Sequence, residues 1–243
     1  MGRGKQRRKN KQKQKRMKKI AQGKHVPFSL ANSSRKLKGR HNKHEYKTNI
    51  HNLIFVDATF KNVKYTASNI TFCNFRKTKI TGVDYINTNL KKSKFKNAHF
   101  ENVIFYSANL KDTDFSNATF KNVYFINTNV FVARNLDINQ SGIHLLKGIP
   151  TLKIDNDLFA IIEQLMQIPK IRKHYVLTTK NSKTKEINEW IIYLLLQSFS
   201  QKELTKAFRT MYLNKNKNAN KTMLTYYSYL YFLTKYFKKD DII

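Results

Sequence analysis

From Ile50 to Val130 a large apolar residue stands at every fifth position, 17 times in succession without a miss. With about a third of residues qualifying by composition, such a run arises by chance on the order of once in a hundred million. Two residues before each of these stands a second set, running from Thr48 to Ala133. It is Ala, Val, Thr, Ser or Cys everywhere except at Leu53. A period of five fits neither an α-helix, which repeats at 3.6, nor a strand, which repeats at 2. The pattern therefore calls for an architecture of its own.

A longer period says which. The stretch 57–65, DATFKNVKY, returns as NAHFENVIF at 97–105 and NATFKNVYF at 117–125, with KTKITGVDY at 77–85 between them. The unit is 20 residues, or four blocks of five. Ala58, Thr78, Ala98 and Ala118 form one column; Val63, Val83, Val103 and Val123 a second; Tyr65, Tyr85, Phe105 and Phe125 a third. Equivalent environments recur at that spacing if each coil lies on the last, and four bends per coil make a square cross-section. Between residues 46 and 134 no charged residue falls on either inward set, whereas Lys61, Lys64, Arg76, Lys94 and Asp114 take outward positions. Cys73 sits at an inward small position and reads as a packing residue.

Blocks such as YSANL, SNATF, INTNL and INTNV resemble the pentapeptide-repeat family, whose repeat is a small residue, Asp or Asn, Leu or Phe, and two variable residues. The resemblance covers residues 48 to about 133. It implies a right-handed, four-sided β-helix with both residue sets pointing inward, and leaves function open because the family serves many roles. About 4.5 coils at a β-spacing of ~4.8 Å make a rod roughly 22 Å long. The pattern stops at Asn135 and before Thr48. An uncapped end exposes apolar surface and unpaired backbone, so the flanks VPFSLANSSRK and NLDINQSGIHLL are candidate caps.

Beyond residue 150 helical signals take over. Asp155 or Asn156 caps a helix through Gln167 that stops before Pro169. Residues 186–199 read as a helix apolar on most sides, hence buried. Ser200 and Glu203 form a capping box opening QKELTKAFRTMYL, KNKNAN is a loop, and a last helix spans about 220–238. That helix carries Tyr226, Tyr227, Tyr229, Tyr231, Phe232, Tyr236 and Phe237, too many aromatics for one buried stripe. Packing among helices, base stacking and a protein interface are the alternatives. A helix-turn-helix at SFSQKELTKAFR lacks the usual turn glycine. The expected organisation is a basic, largely disordered arm and N-terminal cap over 1–45, a β-helix over 46–140 and a small all-α domain over 150–243. The rod then separates the arm from the helical domain.

Charge changes the picture most. Lys and Arg number 47 against 15 Asp and Glu, a net +32. Self-repulsion of that size calls for a polyanion. Residues 1–45 carry 17 basic residues and one acid, Glu45. With few apolar residues to bury, the arm is expected to be disordered when free, and it looks like the extensions of ribosomal proteins that thread between RNA helices. The candidate nucleic-acid-binding residues are Arg3, Lys5, Arg7, Arg8, Lys9, Lys11, Lys13, Lys15, Arg16, Lys18, Lys19, Arg35, Lys36, Lys38 and Arg40 in the arm. On the solenoid they are Arg76, Lys77, Lys79, Lys91, Lys92, Lys94 and Lys96. Ribosomal RNA or the ribosome is the expected partner, with DNA as the alternative because phosphate contacts carry no base information.

Some pentapeptide-repeat proteins protect topoisomerases by imitating DNA. Such mimicry needs a negative surface, and this chain has the opposite sign. The sequence contains no phosphate loop, nucleophile elbow or paired carboxylates, so neither a catalytic site nor a cofactor is expected. His41, His44 and His51 cluster in a basic stretch without a Cys ligand, so no metal site is expected either. A single Cys rules out an internal disulfide. The absence of a long apolar run or an apolar N-terminal segment points to a cytoplasmic protein.

Overall fold

The computed structural model describes residues 36–179, 186–214, 216 and 222–239, together with 7, 10–11, 14–15, 17–19, 21–22 and 29–31. Its central feature is visible in the backbone angles. Every fifth residue from Asn42 to Asn127 has φ between 48° and 63°, the left-handed region. Side chains resist that region because Cβ crowds the following carbonyl; Asn, Asp and Gly resist it least. Asn accordingly occupies positions 42, 52, 62, 87, 97, 102, 117, 122 and 127 of this column, Asp 57 and 112, and glycine 82. Each left-handed residue turns the chain through a corner. Four corners bring it back over itself after 20 residues.

The coils pair in parallel. Strands β2 (Arg40–Tyr46), β4 (Thr59–Thr66), β6 (Lys79–Ile86), β7 (His99–Tyr106), β8 (Thr119–Ile126) and β9 (Ile143–Leu146) form a six-stranded sheet in the order 2-4-6-7-8-9. Strands β1 (Ser29–Ala31), β3 (Asn49–His51) and β5 (Asn69–Thr71) form a second. A third side is built from single bridges, Lys36 to Ile54, Asn74, Lys94, Asp114 and Arg134 in turn. Register is 20 throughout both sheets, as in Phe60 opposite Ile80 and Val103 opposite Val123.

Inside, like stacks on like. Phe55, Phe75, Phe95 and Phe115 lie with ring centroids 5.0, 4.8 and 5.4 Å apart. Tyr65, Tyr85, Phe105 and Phe125 follow at 5.4, 5.0 and 4.8 Å. These spacings are close to the distance between β-strands, so the rings ride on the backbone ladder. Cys73 is fully buried in this core, which pushes its thiol up to about 11.

The solenoid reaches further than the five-residue pattern. β1 pairs with β3 and β2 with β4 before residue 46, and β9 pairs with β8 beyond Asn135. The flanks expected as caps are themselves coil. Arg40 and Glu45 sit in register with the inward Phe60 and Tyr65, and their side chains pair at 3.7 Å. This ion pair closes the N-terminal end of the core, so a charged coil continues a pattern that looked apolar by rule. Arg40 therefore belongs to the solenoid cap and not to the arm. Lys36 also belongs to the first coil, where its Nζ donates to Asp57 at 2.7 Å.

Within the N-terminal segment the described residues Arg7, Asn10, Lys11, Gln14, Lys15, Met17, Lys18 and Lys19 are helical and exposed. Lys, Arg and Gln have high helix propensity, even where no apolar stripe exists to bury.

The helices are α1 (Asn156–Met166), α2 (Pro169–Arg172), α3 (Glu189–Leu196), α4 (Gln201–Leu213) and α5 (Tyr226–Phe237). Asp155 caps α1, and the Ser200–Glu203 box opens α4. α3 begins only at Glu189 because the Asn188 side chain caps it. α5 begins at Tyr226, capped by Thr225; residues 220–221 and most of the KNKNAN loop lie outside the described residues. The helical part is not separated from the arm by the length of the rod. It lies against the side of the solenoid, where Ile104 and Ile126 share one buried cluster with residues from all five helices. Ile86, Tyr106, Tyr124 and Leu146 pack at its edge. Among the described residues no helix is long and apolar enough to cross a membrane.

Candidate nucleic-acid interface

Four sides of one coil face outward in chain order, represented by Asn69, Asn74, Lys79 and Asp84. The side carrying Lys64, Asp84, Ile104 and Tyr124 is covered by helices. The side carrying Ile54, Asn74, Lys94, Asp114 and Arg134 is two corners round from it, hence opposite in a four-sided coil.

Most of the predicted solenoid cations stand on that open side and at its two corners, while Lys79 lies on the next side round and Lys91 just before the Lys92 corner. Arg76, Lys77, Lys79, Lys92, Lys94 and Lys96 are exposed and Lys91 is half-buried. Backbone pairing brings them together across coils: the N–H of Lys77 donates to the carbonyl of Lys96 at 3.0 Å, and that of Phe75 to the carbonyl of Lys94 at 2.7 Å. Lys91 follows from Phe72 in the same way at 3.1 Å. Three acids are interspersed. Lys36 hydrogen-bonds Asp57 and holds its carboxyl below the usual range, and Arg134 does the same for Asp112 at 2.7 Å. Asp114 is lowered by bonds from Ser116 and Asn135, with Lys96 adding to the effect against partial burial. The surface is a basic corner with its acids already engaged.

In the arm, Arg7, Lys11, Lys15, Lys18 and Lys19 are exposed, as is Lys38 in the first coil. Arg3, Lys5, Arg8, Lys9, Lys13, Arg16 and Arg35 lie outside the described residues. Lys36 and Arg40 are engaged within the first coil, as described above. His44 and His51 are hydrogen-bonded to Thr66 and Thr71 at 3.1 and 2.9 Å.

The covered side holds the polar groups that the repeat pattern assigned to solvent. Lys64 Nζ donates to the carbonyls of His174 and Tyr175 at 2.7 and 2.9 Å. Asp84 Oδ2 accepts from the Tyr226 N–H at 3.0 Å. That N–H belongs to the first turn of α5, where the helix dipole favours an anion. Lys64 and Asp84 are neighbours on β4 and β6 and both are buried. Burial pushes Lys64 down to about 8, opposed by the charge of Asp84. Burial pushes Asp84 up to about 7, opposed by Lys64 and by the Tyr226 N–H. Burial also lowers His174 to about 4, helped by Lys173 and Lys64, so its ring stays neutral in contact with His44, 3.3 Å away.

Asn62 completes the seam. Its Oδ1 accepts from Thr225 Oγ1 at 2.8 Å and Ser228 Oγ at 2.6 Å, and its Nδ2 donates to Asn42 and to the Thr222 carbonyl, both at 2.8 Å. The column Asn42, Asn62, Asn102, Asn122 is broken by Gly82. A Cβ there would lie 2.3 Å from the Tyr227 ring. Glycine supplies the positive φ that Asn supplies elsewhere and leaves room for the helix. Two sequence signals marked this side: glycine interrupting the asparagine column, and apolar outward residues at Ile86, Ile104, Tyr106, Tyr124 and Ile126.

The sequence model for pentapeptide repeats matches residues 86–122, in eight copies. The chain is similar to a trypsin-treated form of QnrB1, a plasmid-mediated fluoroquinolone resistance protein, at 16% identity and a TM-score of 0.31, covering 58% of this chain and 62% of that one. A second trypsin-treated form aligns at 10% identity and a TM-score of 0.23, covering 59% and 98%. The pentapeptide repeat protein Rfr23 from the cyanobacterium Cyanothece 51142 aligns at 12% identity and a TM-score of 0.22, covering 49% and 81%. The chain thus spans less than two thirds of the first of these structures. No curated protein matches the sequence.

Proposed function

We propose that this chain, whose repeat segment belongs to the pentapeptide-repeat family, is a non-catalytic RNA-binding protein that associates with ribosomal particles in the cytoplasm. The observation that carries the reading is the net charge of +32, with 17 cations against one acid in residues 1–45. Cations on the side of the solenoid opposite the helices support it. The helical domain occupies one side, so the open basic corner is the rigid surface left for phosphates beside the basic arm. Functionally the chain divides into an arm ahead of Ser29, a solenoid from Ser29 to Leu146, and the docked helices. Each phosphate neutralised by Lys or Arg releases counterions, which makes such binding fall steeply with salt. DNA mimicry is disfavoured by the same charge, since a basic rod does not fit a basic groove.

The test is sedimentation of cell lysate on a sucrose gradient at low and high salt, with and without RNase. The reading expects co-migration with ribosomal particles at low salt, lost at high salt and after RNase. Migration at the top of the low-salt gradient contradicts it. Co-migration with chromosomal DNA that survives RNase moves the partner from RNA to DNA.

A further inference from the structure

Between the solenoid and α5 runs an open groove of about 670 Å³, within the range of sites that hold small ligands. Its α5 wall is aromatic: Tyr227, Tyr231, Phe232 and Tyr236 all line it. Tyr227 and Tyr231 lie 5.9 Å apart between centroids, and Phe232 and Tyr236 6.0 Å. Most aromatic side chains of this helix are spent on packing, but Tyr231 is 47% exposed. Lys61 enters the groove from β4 and Lys235 from α5, so cations reach it from both walls, and among the described residues no Asp or Glu lines it. The carboxylate whose charge is felt at Tyr227 is Glu101, which is itself paired with Lys121 at 3.1 Å.

We infer that this groove takes an unpaired base of single-stranded nucleic acid, stacked on Tyr231, with its flanking phosphates held by Lys61 and Lys235. Aromatic side chains set in a basic groove are the recurrent means of holding single strands, since every base has a flat π-face and every link a phosphate. A duplex keeps its bases stacked inside and offers none to such a wall. An acidic peptide would satisfy the two lysines but leave the tyrosine face uncovered. The inference rests on the nucleic-acid reading above and narrows it: the arm and basic corner bind phosphates of any form, and the groove selects unpaired bases.

The test uses the full chain and fluorescently labelled RNA of one length in three forms: single strand, blunt duplex, and single strand with abasic sugars. Binding is read by anisotropy at one salt concentration. Tyr231→Ala is expected to weaken single-strand binding about tenfold, leave duplex binding unchanged, and match wild-type binding to the abasic strand. Tyr231→Phe should keep the wild-type preference, and circular dichroism should show both variants folded. Equal loss on single strand and duplex, or no loss on the single strand, overturns the inference while the nucleic-acid reading stands. Failure of the wild-type protein to bind any of the three overturns both.

Discussion

Two opposite sides of one solenoid are made by the same repeat and have become different surfaces. On the open side the outward positions hold Asn74, Lys94, Asp114 and Arg134, which are exposed or half-buried, as are the partners Asp112 and Ser116. On the covered side the corresponding positions hold Lys64, Asp84, Ile104 and Tyr124, and the first three are buried under the helices. The backbone is the same on both: parallel ladders at a register of 20, turned by left-handed corners. What differs is carried by outward residues, which the five-residue period does not constrain. A solenoid of this kind fixes where side chains stand, and the outward set decides whether a side becomes an internal joint or stays an open basic surface.

The largest expected effect comes from breaking the buried charges of the joint. Removing one member of a buried pair leaves the other uncompensated, which costs about 3–5 kcal/mol. Asp84→Leu should therefore destabilise the protein by that amount in urea unfolding, and the second change Lys64→Met should recover most of it. Additive losses in the double variant would mean that the two charges do not act as a pair. A smaller loss is expected at the glycine that admits the helix. Asn is accepted at the same corner in the neighbouring coils, yet Gly82→Asn drives a side chain into Tyr227. We expect roughly 1–3 kcal/mol of overpacking and faster protease cleavage of the helical part, with the strand signal in circular dichroism retained. Unchanged proteolysis would show that α5 does not need the gap.

The joint should also be visible in pH dependence. Lys64 in the folded protein titrates at about 8, below its ordinary 10.5, so the unfolded chain holds the extra proton between those values. The cost of its buried charge is fully present below pH 8 and is relieved as pH rises towards 10.5. Asp84, raised to about 7 from 3.8, has the reverse sense: its cost is fully present above pH 7 and is relieved as pH falls. Relative to the Lys64→Met, Asp84→Leu double variant, the wild type should gain up to roughly 2 kcal/mol between pH 8 and 10. Cys73 and the buried tyrosines also titrate at high pH, but they are common to both proteins and cancel in the difference. A difference that stays flat over this window would place Lys64 in a wetter setting. The smallest effect belongs to the open side, where Lys94→Gln should change stability by less than about 0.5 kcal/mol while weakening RNA binding measurably.

The same contrast explains what could be read in the sequence. The core was legible because burial and stacking act on every coil, so Phe55, Phe75, Phe95 and Phe115 repeat what one position requires. The ends were not, because a cap breaks the rule it protects. Arg40 and Glu45 occupy inward positions as a charged pair, and β9 resumes the 20-residue register, Val123 opposite Ile143, after the five-residue pattern has lapsed at Asn135. The helices were legible through their caps, Asp155, Ser200 with Glu203, and Pro169. Their place beside the solenoid was not, since it depends on residues that never repeat: Lys64, Asp84, Gly82 and Asn62 each meet the helical part in a different way. Of the candidate binding residues, Arg76, Lys77, Lys92, Lys94 and Lys96 gather on the open side and its corners, whereas Lys36 and Arg40 are used inside the first coil.

The most direct test of the account is the salt dependence of RNA binding by the full chain, compared with a chain lacking residues 1–24. Plotted as logarithm of affinity against logarithm of salt, the slope counts neutralised phosphates at about 0.7 each for single strands. The account predicts a slope of about −5 or steeper for the full chain, shallower but still negative without the arm, because the solenoid corner still binds. A slope near zero, or one that removal of the arm leaves unchanged, would contradict it.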